Sequence, residues 1–263
     1  VAVGGHTFRP SDIKGQELGI TSTDAFTLDA LPSSIVIAGG GYIALEFANI
    51  FSGLGVDTTI VYRGERVLRG FDHDIRAHVQ NDMIRTGVKI ICGSNISEIA
   101  PLSGDRKLVT LSNSMKLEAD HVMWAVGREP NTKGLGLENA GVRLTARGAV
   151  AVDEYSRSNI DSIWAVGDVT DRINLTPVAI REAQGFAETE FMGRPTKFDH
   201  ADVASAVFSR PAVGAVGLTE EQAKKRGVEY EMATMPFGHI SRAIEIDETA
   251  GTEYRFVAEG LGP

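Results

Sequence analysis

Cysteine is almost missing from this sequence: Cys92 is the single one in 263 residues. A disulfide framework within the chain is excluded, and so is dithiol chemistry carried by this chain alone. Long hydrophobic runs are missing too. The longest mostly apolar stretch, residues 35–45, holds three glycines and falls far short of the roughly 20 residues a membrane span needs. Positive charge is in deficit, with 26 Lys+Arg against 35 Asp+Glu and a net charge of −9. Nucleic acid and anionic membranes both select a basic face, so neither is an expected partner. The chain opens Val1-Ala2-Val3-Gly4-Gly5 with no charged leader ahead of an apolar core. No signal peptide is read there, and a soluble, cytoplasmic protein is the expectation. No metal site is expected.

What is present is globular composition, 43% hydrophobic and 23% charged. Glycine is in surplus: 29 of 263 residues, about 11%, against a usual level of about 7%. No collagen period accounts for it, which points to segments that need close backbone approach or positive φ.

Residues 11–34 are turn-rich and read as a crossover into a new unit. Residues 35–38 form a short apolar run suited to a buried strand. Beyond three glycines, Ile43, Phe47, Ile50 and Phe51 fall on one helix face, and Gly53 and Gly55 stop it. The β-branched residues 58–62 predict a second strand. The result is a βαβ unit of about 28 residues. Asp72 is a candidate N-cap for a helix carrying Ile75, Val79, Met83 and Ile84, closed by Gly87. Strand-like runs then crowd at 88–92, 96–99, 107–111 and 121–126, which predicts an antiparallel meander laid on the parallel unit. Further strands are expected at 149–153, 163–166, 203–208 and 213–216, with a helix from about Val178 to Met192. Thr219 and Gln222 form a capping box for a short helix ending at Gly227. Boundaries are expected near residues 127 and 200.

Gly39-Gly40-Gly41-Tyr42-Ile43-Ala44 fits G-x-G-x-x-A between a predicted strand and a predicted helix. Such glycines permit a tight turn and let backbone N–H groups approach a pyrophosphate at the helix N-terminus. The alternative is a glycine-rich turn that serves packing alone. An NAD site places Asp or Glu at the end of the second strand, about 20 residues on. Here that place reads Tyr62-Arg63-Gly64-Glu65-Arg66-Val67-Leu68-Arg69. Residues 63–69 carry +2, so the remainder of the −9 chain sums to −11. A basic pocket in an acidic protein suits a 2′-phosphate, which guanidinium binds in bidentate fashion, so NADPH is favoured over NADH. A solvated basic loop is the plainer alternative. Tyr42 and Glu46 lie four apart on one helix face. Tyr42 reads either as a core aromatic or as a functional group, and Glu46 either as an edge carboxylate or as one.

These residues resemble the pyridine nucleotide–disulfide oxidoreductase family. The resemblance runs through Gly39 to Glu46, Tyr62-Arg63, Leu68-Arg69-Gly70-Phe71-Asp72 and Ala125-Val126-Gly127-Arg128-Glu129-Pro130-Asn131-Thr132. It continues in Ala165-Val166-Gly167-Asp168, Leu175-Thr176-Pro177 and Val207-Phe208-Ser209-Arg210-Pro211, and spans residues 1 to about 235. Within the family the motifs are most similar to the glutathione reductase branch. The fold implied is α/β, with a Rossmann-like NADPH-binding domain (11–126) inserted in a split FAD-binding domain (1–10 and 127–200). Part of an α+β dimerisation domain (201–263) would follow.

The resemblance also implies roles. Gly39, Gly41 and Ala44 would hold the NADPH pyrophosphate, with Ile43 in the same turn, and Arg63 and Arg69 would hold the 2′-phosphate. Arg128 would lie near NADPH. Tyr42 would cover the nicotinamide pocket and swing aside, and Glu46 would pair with a lysine beside the flavin. Gly127 and Gly167 would be cofactor-approach turns. Asp168 would bind the FAD ribityl–pyrophosphate region, and the Leu175-Thr176 backbone would face the flavin pyrimidine edge. The implied reaction passes hydride from NADPH to FAD, then electrons to a redox disulfide and a disulfide substrate, with glutathione disulfide favoured and a homodimer as the parent enzyme.

Departures from the family pattern matter equally. The first FAD motif, the redox Cys pair and the lysine partner would precede Val1, and the acid–base His and Glu would follow Pro263, so both ends read as cuts through a fold. Cys92 does not match the redox position and reads as a small buried hydrophobe. Residues 239–263 match poorly. Two readings stay open: an NADPH-dependent flavoprotein disulfide reductase, or a non-catalytic NADPH-binding fragment. Among reductases, trypanothione reductase shares the Arg-Gly-Phe-Asp run, and lipoamide dehydrogenase fits less well because Arg63 stands where NAD needs an acid.

Overall fold

The computed structural model describes residues 1–236 and 253–259. Its early elements are β1 (Gly5–Thr7), β2 (Ile20–Thr21), α1 (Ser22–Ala25), β3 (Ser34–Ala38), α2 (Tyr42–Gly53), β4 (Asp57–Tyr62) and α3 (His73–Arg85). There follow β5 (Lys89–Cys92), β6 (Ile96–Pro101), β7 (Lys107–Leu111), β8 (Lys116–Ala119), β9 (His121–Trp124) and β10 (Arg128–Pro130). The chain continues with α4 (Thr176–Phe191), β11 (Ser205–Val207), β12 (Val213–Ala215), α5 (Glu220–Arg226), β13 (Tyr230–Pro236) and β14 (Glu253–Glu259). Two compact units result. One joins Val1–Phe8 to Gly127–Val203, and the other joins Arg9–Val126 to the described residues from Ala204 onward.

The second unit is built on a parallel sheet ordered β2-β9-β3-β4-β5. Side chains alternate across it as the period of two requires. Ile35, Ile37, Ile60 and Met123 join a core with Leu45, Phe47, Phe51, Val79 and Met83 from α2 and α3. Val36, Ala38, Val61, Val122 and Trp124 face the other way, against Ile96, Ile99, Val109 and Leu111. Burial on both faces explains why β3 reads as an unbroken apolar run. The antiparallel β6-β7-β8 sheet covers the second face. Val207 and Val213, which pair in the β11-β12 hairpin, are buried in the α2 core.

The structure corrects several expectations. Runs 88–92 and 121–126 belong to the parallel sheet as β5 and β9, not to the meander, whose third strand is β8. Its turn-flanked Lys116-Leu117-Glu118-Ala119 lacks the β-branched signal that marks a strand. The crossover hides β2, whose two residues are too few to show alternation. Helix α4 begins at Thr176, two residues ahead of expectation, because Pro177 fits a first helical turn.

In the first unit β1 pairs antiparallel with β10, and residues 1–3, ahead of it, lie outside any strand. Gly4, at φ 67°, precedes β1. Residues 149–153 and 163–166 form single bridges, Leu144 to Val150 and Arg157 to Trp164, in place of strands. The Asp153 carboxylate accepts the N–H groups of Tyr155 and Arg157 at 2.9 Å, which turns the chain back before a ladder can extend. Leu137, Val142, Val150, Ala165 and Val169 still form a small core there. Among the described residues no helix is long and apolar enough to cross a membrane. Of residues 239–263, only β14 lies within the described residues. The remainder of that poorly matching stretch lies outside them.

Candidate functional site

The three glycines between β3 and α2 have three different physical reasons. Gly39 sits at φ 136°, and a Cβ there would stand 2.2 Å from the Ala125 carbonyl oxygen. A Cβ on Gly40 would meet the Tyr62 ring at 2.5 Å, and one on Gly64 would meet the same ring at 2.6 Å. Gly41 differs. It is the N-cap of α2 at φ −87°, open to any residue, and a Cβ there would meet nothing within 4 Å. No side chain caps α2, and the space beside Gly41 at its first turn is open. That space suits a phosphate-bearing ligand, for which the backbone and helix dipole are the natural partners.

The basic loop is fastened to this turn. Leu68, in a left-handed conformation at φ 53°, donates its N–H to the Gly40 carbonyl at 2.7 Å. From α3, Gln80 Oε1 accepts the Val67 N–H at 3.2 Å, and Arg76 donates to the carbonyls of Val67 and Arg66. Arg66 is engaged with His73, whose Nε2 lies 2.9 Å from it. Arg63 and Arg69 are exposed, and among the described residues neither guanidinium has a hydrogen-bond or ion-pair partner. Sequence reasoning missed Arg76 and Gln80, although their spacing of four on one face of α3 was a usable signal.

Tyr42 and Ile43 are half-buried and pack against the α2 core, while Ala44 is fully buried. Glu46 is half-buried, and its Oε1 accepts the backbone N–H of Phe208 at 2.9 Å. Cys92 is a free, half-buried thiol in β5, more exposed than the buried hydrophobe expected. Burial raises its pKa, opposed by the smaller pull of Arg66 and Arg76. Among the described residues no set of three or more His, Cys, Asp or Glu could hold a metal ion.

The remaining candidates lie in the first unit. Gly127 (φ 144°) precedes β10, and a Cβ there would meet nothing within 4 Å. Arg128 donates to the Gly5 carbonyl, and its Nε lies 3.5 Å from Asp168 Oδ2. Gly167 and Asp168 open a 3-10 turn, Gly167–Thr170, with Gly167 at φ 75°. Leu175 is the N-cap of α4 and Thr176 its first residue, again with no side-chain cap. Beside them Asn174 Oδ1 is buried without a hydrogen-bond partner among the described residues. An uncapped helix start next to an orphaned buried acceptor fits a polar, edge-on ligand such as a flavin. Sequence reasoning also missed Glu182. It sits on the helix expected from about Val178, is buried, and accepts the Gly167 N–H at 2.7 Å.

The family model described as pyridine nucleotide-disulphide oxidoreductase matches residues 1–183. The dimerisation-domain model of the same family matches residues 203–260. Glutathione reductase of Burkholderia cepacia is 43% identical over 244 residues, covering 93% of this chain and 54% of that protein. Trypanothione reductase of Trypanosoma congolense is 44% identical over 216 residues, covering 81% of this chain and 44% of that protein. The solved HOCl-induced flavoprotein disulfide reductase RclA of Escherichia coli superposes with a TM-score of 0.90 at 30% identity. That match covers 97% of this chain and 59% of the other. The chain thus spans about half the length of the curated relatives it matches. Its glycine turn, its paired cofactor motifs and both family matches have one source: the chain belongs to the pyridine nucleotide–disulphide oxidoreductase family.

Proposed function

We propose that this chain carries the NADPH-binding domain and part of the FAD-binding domain of an NADPH-dependent disulfide reductase whose substrate is glutathione disulfide. One observation carries the nucleotide half: an open Gly41 at a helix start with no side-chain cap, with two exposed arginines, unpartnered among the described residues, on a loop bonded to that turn. In this reading Gly39 and Gly41 let the pyrophosphate approach α2, and Arg63 and Arg69 grip the 2′-phosphate. Tyr42 guards the nicotinamide end. In the first unit Asp168 and the backbone at Leu175 and Thr176 hold the flavin, with Arg128 beside Asp168. Together the two cofactors supply two-electron hydride chemistry. The residues named here supply binding and orientation.

Similarity to glutathione reductases supports the substrate, and the match to a dimerisation domain supports a homodimer. A cytoplasmic location completes the reading. The test is cofactor kinetics on the full-length protein. Replacing Arg63 or Arg69 by Ala removes a charge-assisted hydrogen bond of about 1.5–3 kcal/mol, so KM for NADPH is expected to rise roughly 10- to 100-fold while KM for NADH barely moves. Equal losses for both nucleotides reject the 2′-phosphate assignment. Turnover on trypanothione disulfide but not on glutathione disulfide rejects the substrate.

A further inference from the structure

We propose that Glu182 is the positioning residue of the flavin-binding turn, holding the Gly167–Thr170 backbone so that Asp168 is presented to FAD. The proposal rests on the reading that this unit binds a flavin. The buried stripe of α4 is Val178, Glu182 and Gly185, so a carboxylate stands where the helix faces the interior. Its side chain is 1% exposed. An isolated charge there would be severely destabilising, and Glu182 is matched on both oxygens. Oε1 accepts Arg172 at 2.9 Å and lies 2.7 Å from His200 Nε2. Oε2 accepts the N–H of Gly167 at 2.7 Å.

Arg172 closes the network. Its Nε donates to Thr170 Oγ1 at 3.2 Å, and the Thr170 hydroxyl donates to the Gly167 carbonyl at 2.8 Å. Both polar groups of the Gly167 backbone are thereby fixed by side chains that converge on one carboxylate. Asp168, the next residue, turns its carboxylate to Arg128 instead and stays 23% exposed. Glu182 therefore acts on the ligand through the turn, without touching it. An apolar side chain would fill the stripe equally well but would leave the buried Gly167 N–H unpaired, and that difference is what Glu182 contributes.

The experiment compares Glu182→Ala, Glu182→Gln and Thr170→Val in the full-length protein, with Arg181→Ala on the exposed face of α4 as control. Three quantities are measured on the deflavinated protein: the FAD dissociation constant by flavin fluorescence quenching, the NADPH dissociation constant, and deuterium exchange at the Gly167 amide. Glu182→Ala is expected to weaken FAD about tenfold or more and to speed Gly167 exchange, with NADPH affinity unchanged. Glu182→Gln retains an acceptor oxygen and is expected to restore slow exchange and most of the FAD affinity. Thr170→Val, a near-isosteric change, is expected to weaken FAD severalfold, and it decides the matter if Glu182→Ala does not fold. Wild-type FAD affinity in both Glu182→Ala and Thr170→Val overturns the proposal, as does parallel loss of FAD and NADPH. A wild-type protein that binds no FAD rejects the flavin reading itself, while Gly167 exchange still reports whether Glu182 holds the turn.

Discussion

The Glu46 carboxylate accepts the backbone N–H of Phe208 at 2.9 Å, 162 residues further along the chain. The bond ties the second turn of α2 to the residue after β11, whose Val207 is buried in the α2 core. Removing the acceptor with Glu46→Ala is expected to lower stability by about 0.5–1.5 kcal/mol. Glu46→Gln, which keeps an oxygen in reach, is expected to lose less than half of that. Urea midpoints at constant m-value measure the difference. Equal destabilisation by both variants assigns the effect to charge and not to this bond.

The glycine turn separates folding from binding. Gly39→Ala meets both a positive φ and the Ala125 carbonyl, and Gly40→Ala meets the Tyr62 ring, so each is expected to destabilise by about 1–3 kcal/mol. Gly41→Ala meets nothing. It is expected to melt at the wild-type temperature while binding NADPH at least about tenfold more weakly, because the methyl occupies the pyrophosphate's approach. Thermal melts beside nucleotide titrations check all three. An unchanged NADPH affinity for Gly41→Ala moves the phosphate elsewhere.

Helix α5 is capped from two directions. Thr219 Oγ1 accepts the Gln222 N–H at 3.2 Å while Gln222 Oε1 accepts the Thr219 N–H at 2.9 Å, and Asp72 Oδ1 accepts the Glu220 N–H at 2.8 Å. Thr219→Ala is expected to cost about 1 kcal/mol, read as faster hydrogen exchange over residues 220–226. Asp72→Ala should speed exchange at Glu220 in particular. Asp72→Asn should preserve it.

Burial raises the Cys92 pKa, so the thiolate fraction at neutral pH lies below that of an unhindered cysteine. Peptide-resolved alkylation is expected to be slow at pH 7 in the native protein and to accelerate as pH climbs past the ordinary thiol range. In denaturant the rate should match a free cysteine at neutral pH. Fast native alkylation at pH 7 contradicts the burial effect.

Local pattern was a good guide wherever one face or one turn decides the outcome. The apolar run of β3, the β-branching of β4, the spacing of Ile43, Phe47 and Phe51, and the Thr219–Gln222 box all describe contacts within a few residues of each other. They could be read from the chain alone. Pattern failed where strand pairing depends on a distant partner. β2 is a strand only because β9 lies beside it, and residues 149–153 form no strand because Asp153 bends the chain after them.

The candidate site divides the same way. That Gly39 to Ala44 form a glycine turn into a helix, and that a basic loop follows β4, was determined by the sequence itself, since turn chemistry and charge are local properties. Which one of the three loop arginines is engaged among the described residues was decided by the tertiary structure, where His73 engages Arg66 and α3 fastens the loop backbone. The three glycines look equivalent as letters. Only the fold places Ala125 against the first, Tyr62 against the second and open space before the third. Glu182 is the sharpest case. As a letter it is one more acid in an acidic chain, and its meaning comes from Gly167, Arg172 and His200 converging on it. A carboxylate's effect depends on what replaces its lost water, and that is settled by packing between segments far apart in sequence.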